Sequence, residues 1–362
     1  MATFSSPPLF EEYPSLKGSI PWISLVDSPT PVRRLTNLEE YLETDISLWV
    51  KEDSLTSSKY GGNKVRKLEF IIADALQKEK NTIATIGGIG TNHGLATTIF
   101  GKDHDLKTVL YLIKQPITNH VLNNLKLDYY YGAELRYVKN YIGIGLNFYF
   151  LDRLRRKQTY WLSAGGSTPL GVLGYVNAVF ELKKQIEKGT LPEPESIFVA
   201  AGTTGTMAGL ELGIQLNGLR TRVFGVRVTD RMAATAGKVR SLGKKALKIL
   251  RQDPKLRQLR YRPNFQLIDK FYGGAYGRVT KEASEAVNVI KETEGLSLET
   301  TYTGKALAGL FEHVKQRKIK GSIDDEPKSV LFWNTYNSVN LSSIADQVNY
   351  KQLPSEFHHL FN

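Results

Sequence analysis

Apolar positions along the chain fall into two rhythms. Short runs rich in β-branched residues at 46–50, 82–86, 107–113, 134–138, 196–200, 222–228 and 330–333 read as strands. Between them, longer segments carry apolar residues at helical spacing. Val65, Leu68, Ile72 and Leu76 mark one side of a helix over 64–76. Further helices are expected over 93–100, 118–131, 207–216, 283–292 and 305–315. Strands separated by helices of this length predict an α/β protein, with mostly parallel sheets flanked by helices on both faces. Ligands of such sheets bind at the carboxyl ends of the strands, in the loops that feed the helices. No internal repeat interrupts the alternation.

Composition narrows the class. A chain of 362 residues, 41% hydrophobic and 23% charged, has the balance of a globular protein of two domains or one large one. The longest apolar-leaning stretch, 141–151, contains Asn147 and is too short to span a bilayer. No basic segment leads into an apolar run at the N-terminus, so the expectation is a cytoplasmic protein with no membrane partner. The absence of cysteine excludes disulfides, thiolate metal sites and a cysteine nucleophile. His93, His104, His120 and His313 are scattered, and His358 and His359 sit in a tail, so no metal centre is expected.

The formal charge of +12 is unevenly placed. Between Lys238 and Arg262 ten basic residues face one acid, Asp253, so this segment alone supplies +9. Tyr261 is the single aromatic there, and Leu242, Leu247 and Leu250 recur at helical spacing. A solvated helical face fits this pattern better than nucleic acid, which would want stacking aromatics. An anionic partner drawn by the field is the alternative.

Two loops are chemically unusual. Gly87, Gly88 and Gly90 precede Thr91, Asn92 and His93, while Gly202, Thr203, Thr204, Gly205 and Thr206 follow the strand at 196–200. A glycine-rich turn before a helix converges backbone N–H groups on the positive end of the helix dipole, which suits a phosphate. The spacing matches neither the nucleotide P-loop nor the dinucleotide fingerprint. A tight turn that merely lets strand and helix approach is the plainer reading. Gly61-Gly62-Asn63-Lys64 places Lys64 at a helix mouth, where the dipole favours a neutral amine, and Arg66 and Lys67 push the same way. Alone, such a lysine is an ordinary solvated charge. Together with a phosphate cradle it is what a pyridoxal 5'-phosphate Schiff base requires.

These motifs resemble the D-cysteine desulfhydrase / 1-aminocyclopropane-1-carboxylate (ACC) deaminase family of fold-type II, tryptophan-synthase-β-like pyridoxal-phosphate enzymes. The resemblance rests on residues 61–69, 86–93, 166–171, 202–206 and 301–305, and spans most of the chain. It implies a large cofactor-binding domain of residues 1–66 plus 176–362 and a small inserted domain of residues 67–175. The cofactor would sit in the interdomain cleft of a homodimer. Carried over by position, Lys64 would be the Schiff-base lysine and Cα base, and Gly202 to Thr206 would hold the phosphate. Asn92 would bond the phenolic oxygen, and Thr91, Asn92 and His93 would receive the substrate carboxylate. Tyr302 would lie against the ring, Tyr276 would face the substrate, and Thr303 would meet the pyridine nitrogen.

Three departures bear on the reaction. Thr303 stands where the deaminase branch has glutamate, a neutral choice suited to eliminating a good β-leaving group. Thr91 replaces the usual serine and adds a methyl group. Asn334-Thr335-Tyr336-Asn337 replaces His-Thr-Gly-Gly and adds bulk beside the cofactor. The resemblance therefore implies α,β-elimination of a small amino acid, with D-cysteine giving pyruvate, ammonia and sulfide. The alternatives are ACC deamination, or a cofactor-binding paralogue without turnover.

Overall fold

The computed structural model describes residues 6–138, 148, 152–320 and 328–361. It is built on two sheets. The larger has six strands in the order β1-β2-β10-β7-β8-β9, with β1 Val32–Arg34, β2 Ser47–Glu52, β7 Ser196–Ala201, β8 Arg222–Arg227, β9 Phe265–Ile268 and β10 Ser329–Asn334. The smaller has four in the order β5-β4-β3-β6, with β3 Thr82–Gly88, β4 Lys107–Ile113, β5 Glu134–Val138 and β6 Thr159–Leu162. All neighbouring pairs are parallel except the edge pair β1 and β2. Every residue of β7 and β10 is buried, as expected of central parallel strands covered on both faces.

All seven expected strands are found, with ends within two residues. The expected helices are Asn63–Gln77, Asn92–Lys102, Asn119–Tyr130, Gly205–Leu216, Lys281–Glu294 and a longer final one, Thr303–Lys320. The hydroxyls of Thr91, Thr118, Thr168, Thr235 and Thr280 each cap the helix that follows by accepting a backbone N–H. The longest helix among the described residues, Pro169–Glu187, has no counterpart in the periodicity. It is buried continuously from Gly171 to Leu182 and shows no polar face to mark it.

One face of the larger sheet packs against the helices Pro169–Glu187, Gly205–Leu216 and Ala236–Leu250. The other carries Lys281–Glu294 and Thr303–Lys320. Close approach is built in at Gly174, where an added Cβ would lie 2.1 Å from the Arg66 carbonyl oxygen. This contact docks the helix bearing Lys64 against the Pro169–Glu187 helix.

The same helix is anchored by a buried ion cluster. Arg66 donates to Asp53 at 2.7 and 2.9 Å and to Glu181 at 3.0 and 3.1 Å. Lys51 also reaches Glu181, and Tyr175 and Trp333 each donate to Asp53 at 2.7 Å.

After β10 the chain returns to the smaller sheet. Val348, Leu353 and Phe357 pack there with Leu110, Leu112, Val121 and Leu125. Among the described residues no helix is long and apolar enough to cross a membrane. Apart from Phe148, the 141–151 stretch lies outside the described residues.

Candidate active site

The loops singled out in the sequence meet around one cavity of about 630 Å³. Lys64, Thr91, Asn92, His93, Gly202 to Thr206, Tyr276, Tyr302 and Thr303 all line it. The turn before Lys64 depends on glycine. Gly62 has φ +88°, and a Cβ there would meet the Thr335 carbonyl at 2.9 Å. Gly61 N–H donates to the Asn337 side chain at 2.7 Å. Asn337, one of the sequence departures, thus pins the turn that presents the lysine.

Lys64 Nζ donates to Asn63 Oδ1 at 2.9 Å, and Asn63 Nδ2 donates to Thr206 Oγ1 at 3.0 Å. One amide therefore links the lysine to the threonine-rich loop. Burial pulls the Lys64 amine down from 10.5 to about 8. Arg66, expected to contribute, is turned instead into the Asp53–Glu181 cluster, so desolvation rather than neighbouring charge accounts for the shift.

Thr204 adopts φ +66° at the head of the Gly205–Leu216 helix, and its hydroxyl is buried without a partner. Gly205 N–H donates to Ser167 Oγ at 3.2 Å, and Ser167 Oγ lies 2.7 Å from Thr203 Oγ1. A Cβ on Gly205 would fall 2.5 Å from Ser167 Oγ and 3.1 Å from Lys67 Nζ, so the cradle exists only with glycine there. Lys67 lines the cavity, donates to the Gly165 carbonyl at 3.0 Å, and has no ion pair among the described residues. Burial and the nearby Lys64 hold its pKa well below the ordinary range. Sequence reasoning did not place Lys67 in the cavity, although its spacing of three from Lys64 puts both on one helical face. Two lysine amines without carboxylate partners, beside an orphaned hydroxyl and open helix N–H groups, fit an aldehyde-bearing phosphate monoester. Pyridoxal 5'-phosphate is such a group.

On the opposite wall, Thr91 Oγ1 accepts from Gly94 N–H at 3.3 Å. Its methyl carbon would lie 2.5 and 2.9 Å from Cβ atoms added at Gly94 and Gly87. The extra methyl group thus occupies space left by two glycines. The N–H groups of Asn92 and His93 lie in the open first turn of the helix. Asn92 Oδ1 accepts from Asn124 at 2.9 Å and Tyr60 at 3.3 Å, with His120 Nε2 at 3.1 Å. The Asn92 amide nitrogen is therefore the group available to the cavity. His93 is buried beside Gly166 with both ring nitrogens unpartnered. Burial first, then Lys64 and Lys67, holds its pKa well below 6.5, so the ring is neutral.

Tyr276 and Tyr302 share a short hydroxyl–hydroxyl hydrogen bond, their rings edge to face at 6.1 Å. Burial raises the pKa of both phenols. The Tyr302 ring lies 3.6 Å from where a Gly202 Cβ would stand. Tyr336 stands in a wall shared with a second cavity of about 480 Å³. Glu299, absent from the sequence reading, also lines the site.

The model for the family described as pyridoxal-phosphate dependent enzyme matches residues 23–335. A Thermotoga maritima protein named "Putative 1-aminocyclopropane-1-carboxylate deaminase" is 34% identical, covering 86% of this chain and 95% of its own. A Serratia proteamaculans protein named D-cysteine desulfhydrase is 32% identical, covering 91% and 98%. A crystal structure of an ACC deaminase homologue, 29% identical, superposes with a TM-score of 0.75 over 94% of this chain and 98% of that one. A threonine deaminase from Solanum lycopersicum, at 12% identity and TM-score 0.61, shares the fold. With the family model spanning residues 23–335, this chain belongs to the pyridoxal-phosphate-dependent enzymes.

Proposed function

We propose that the chain is a pyridoxal-phosphate-dependent lyase that eliminates a β-substituent from a small amino acid, with D-cysteine the leading substrate. D-Cysteine and water would give pyruvate, ammonia and sulfide, the Cα proton and the Cβ–S bond being lost in the elimination. The observation that carries the reading is the buried Lys64 amine, unpaired by any carboxylate and sharing a cavity with the Gly202–Thr206 cradle.

When bound, the cofactor supplies an electron sink for negative charge developing at Cα. Lys64 would hold it covalently and then take the Cα proton at Nζ, a task suited to an amine whose pKa lies near 8. Gly202 to Thr206 and Lys67 would bind the phosphate, and Asn92 would donate to the phenolic oxygen. The first turn at Thr91, Asn92 and His93 receives the substrate carboxylate. Tyr302 would lie against the ring, Thr303 would meet its nitrogen, and Tyr276, kept protonated by burial, would offer its proton to the departing group.

A division into residues 1–66 plus 176–362 and 67–175 is part of the proposal, supported by the four-stranded sheet falling within residues 82–162. Homodimerisation, which rests on the resemblance, and a cytoplasmic location, which rests on the sequence pattern, complete the proposal.

The test is covalent. Protein incubated with pyridoxal 5'-phosphate and reduced with borohydride should carry the label on Lys64, as read by peptide mapping. Undiminished labelling of Lys64→Ala would end the proposal. ACC deamination is the second reading, favoured by the carboxylate of Glu299 lying behind Thr303. Release of 2-oxobutyrate from ACC, against pyruvate from D-cysteine, separates the two. A cofactor spectrum unmoved by any D- or L-amino acid would identify a paralogue without turnover.

A further inference from the structure

Thr303 is almost completely buried, yet it lines the cavity together with Glu299. The Glu299 carboxylate is held rigidly at the start of the Thr303–Lys320 helix. Its Oε2 accepts from Thr301 N–H at 2.6 Å and Tyr302 N–H at 3.0 Å. Its Oε1 accepts from Tyr302 N–H at 3.0 Å and Thr303 N–H at 2.7 Å. That same Oε1 lies 3.0 Å from Thr303 Oγ1. An ionised carboxylate can only accept, so the shared proton of this pair belongs to the hydroxyl. The other acceptor near Oγ1 is the Glu299 carbonyl at 3.4 Å, so either route commits the hydroxyl proton to Glu299. Glu299 N–H in turn donates to Oγ1 at 3.2 Å and occupies one lone pair. What remains for the cavity is a lone pair.

We infer that Glu299 is a positioning residue for the cofactor's ring nitrogen, fixing the Thr303 hydroxyl as an acceptor and thereby favouring the nitrogen in its N–H form. The inference rests on the reading that Thr303 faces that nitrogen, and it changes what the threonine means. An unprotonated pyridine nitrogen is itself only an acceptor, and two acceptors facing each other in a buried site repel. A proton on the ring resolves the conflict. The carboxylate, one hydroxyl away, strengthens the acceptor it polarises. A neutral side chain thus transmits the influence of a charge that a substitution at position 303 appeared to have removed.

Nitrogen NMR of protein loaded with cofactor labelled at the ring nitrogen reads this directly, without turnover. The wild-type resonance is expected at the upfield position of a protonated pyridine. Glu299→Ala should move it downfield, and Glu299→Gln, which keeps the shape and an acceptor oxygen, should move it part of the way. Thr303→Val should move it as well. An unprotonated resonance in the wild type overturns the inference, and that spectrum needs no variant to fold. A resonance moved by Thr303→Val but unmoved by either Glu299 substitution overturns it while leaving the placement of Thr303 intact. Insensitivity to all three substitutions removes both the inference and that placement.

Discussion

Lys64 could be picked out from four consecutive letters, but the reason for its reactivity could not. Helix dipole and neighbouring cations were the visible causes, whereas Arg66 is neutralised in an acid cluster and burial does the lowering. Burial is a property of the assembled cavity and leaves no local mark. Its consequence is a pH dependence. In the unfolded chain the amine titrates near 10.5, and in the fold near 8, so between these values the unfolded state binds more protons and stability rises with pH. Below about 8 the amine is charged in both states and the burial penalty is fully present. Cofactor-free protein should gain up to about 3 kcal/mol from this group as pH is raised through that window. Lys67, shifted in the same direction, adds to the slope. Urea unfolding at pH 7.5 and 10 should show a smaller rise for Lys64→Met than for wild type, and equal rises would contradict the assignment. Glu299 escaped the sequence reading, and Asn63 and Lys67 entered it only as neighbours of Lys64, because each acts through a partner remote in the chain or hidden in a helix turn.

At the level of elements, strands were legible because parallel strands buried on both faces read as uninterrupted apolar runs. Amphipathic helices were legible for the opposite reason. Pro169–Glu187 is neither, since helices and sheet surround it and its apolar residues trace no stripe. The motif at its start was noticed for the family resemblance, and its role as the floor beneath the lysine helix was not. Gly174 makes that floor possible. Gly174→Ala places a Cβ against the Arg66 backbone, which has no rotamer with which to yield. A loss of about 1–3 kcal/mol is expected in thermal unfolding. Cofactor affinity should weaken alongside it, because the displaced helix carries both Lys64 and Lys67. Wild-type stability in this variant would show that the two helices have room to separate.

Across the whole molecule, the cavity lies where loops from both sheets converge, as the alternation of strands and helices led one to expect. The buried cluster of Arg66, Asp53, Glu181 and Lys51 fixes the lysine helix to the larger sheet. Asp53→Ala would leave Arg66 partly uncompensated and strip Tyr175 and Trp333 of their acceptor. A destabilisation of about 3–5 kcal/mol is expected by chemical denaturation. A change below about 1 kcal/mol would show that Glu181 suffices alone.

The return of Val348, Leu353 and Phe357 to the smaller sheet has a consequence for the order in which the protein is made. Strands β3 to β6 are complete by Leu162, well before half the chain has been translated. Their outer apolar layer nevertheless stays open until residues 348–357 leave the ribosome. The part of the molecule whose strands finish first must therefore wait longest for its cover, and during synthesis it is the surface most in need of a chaperone.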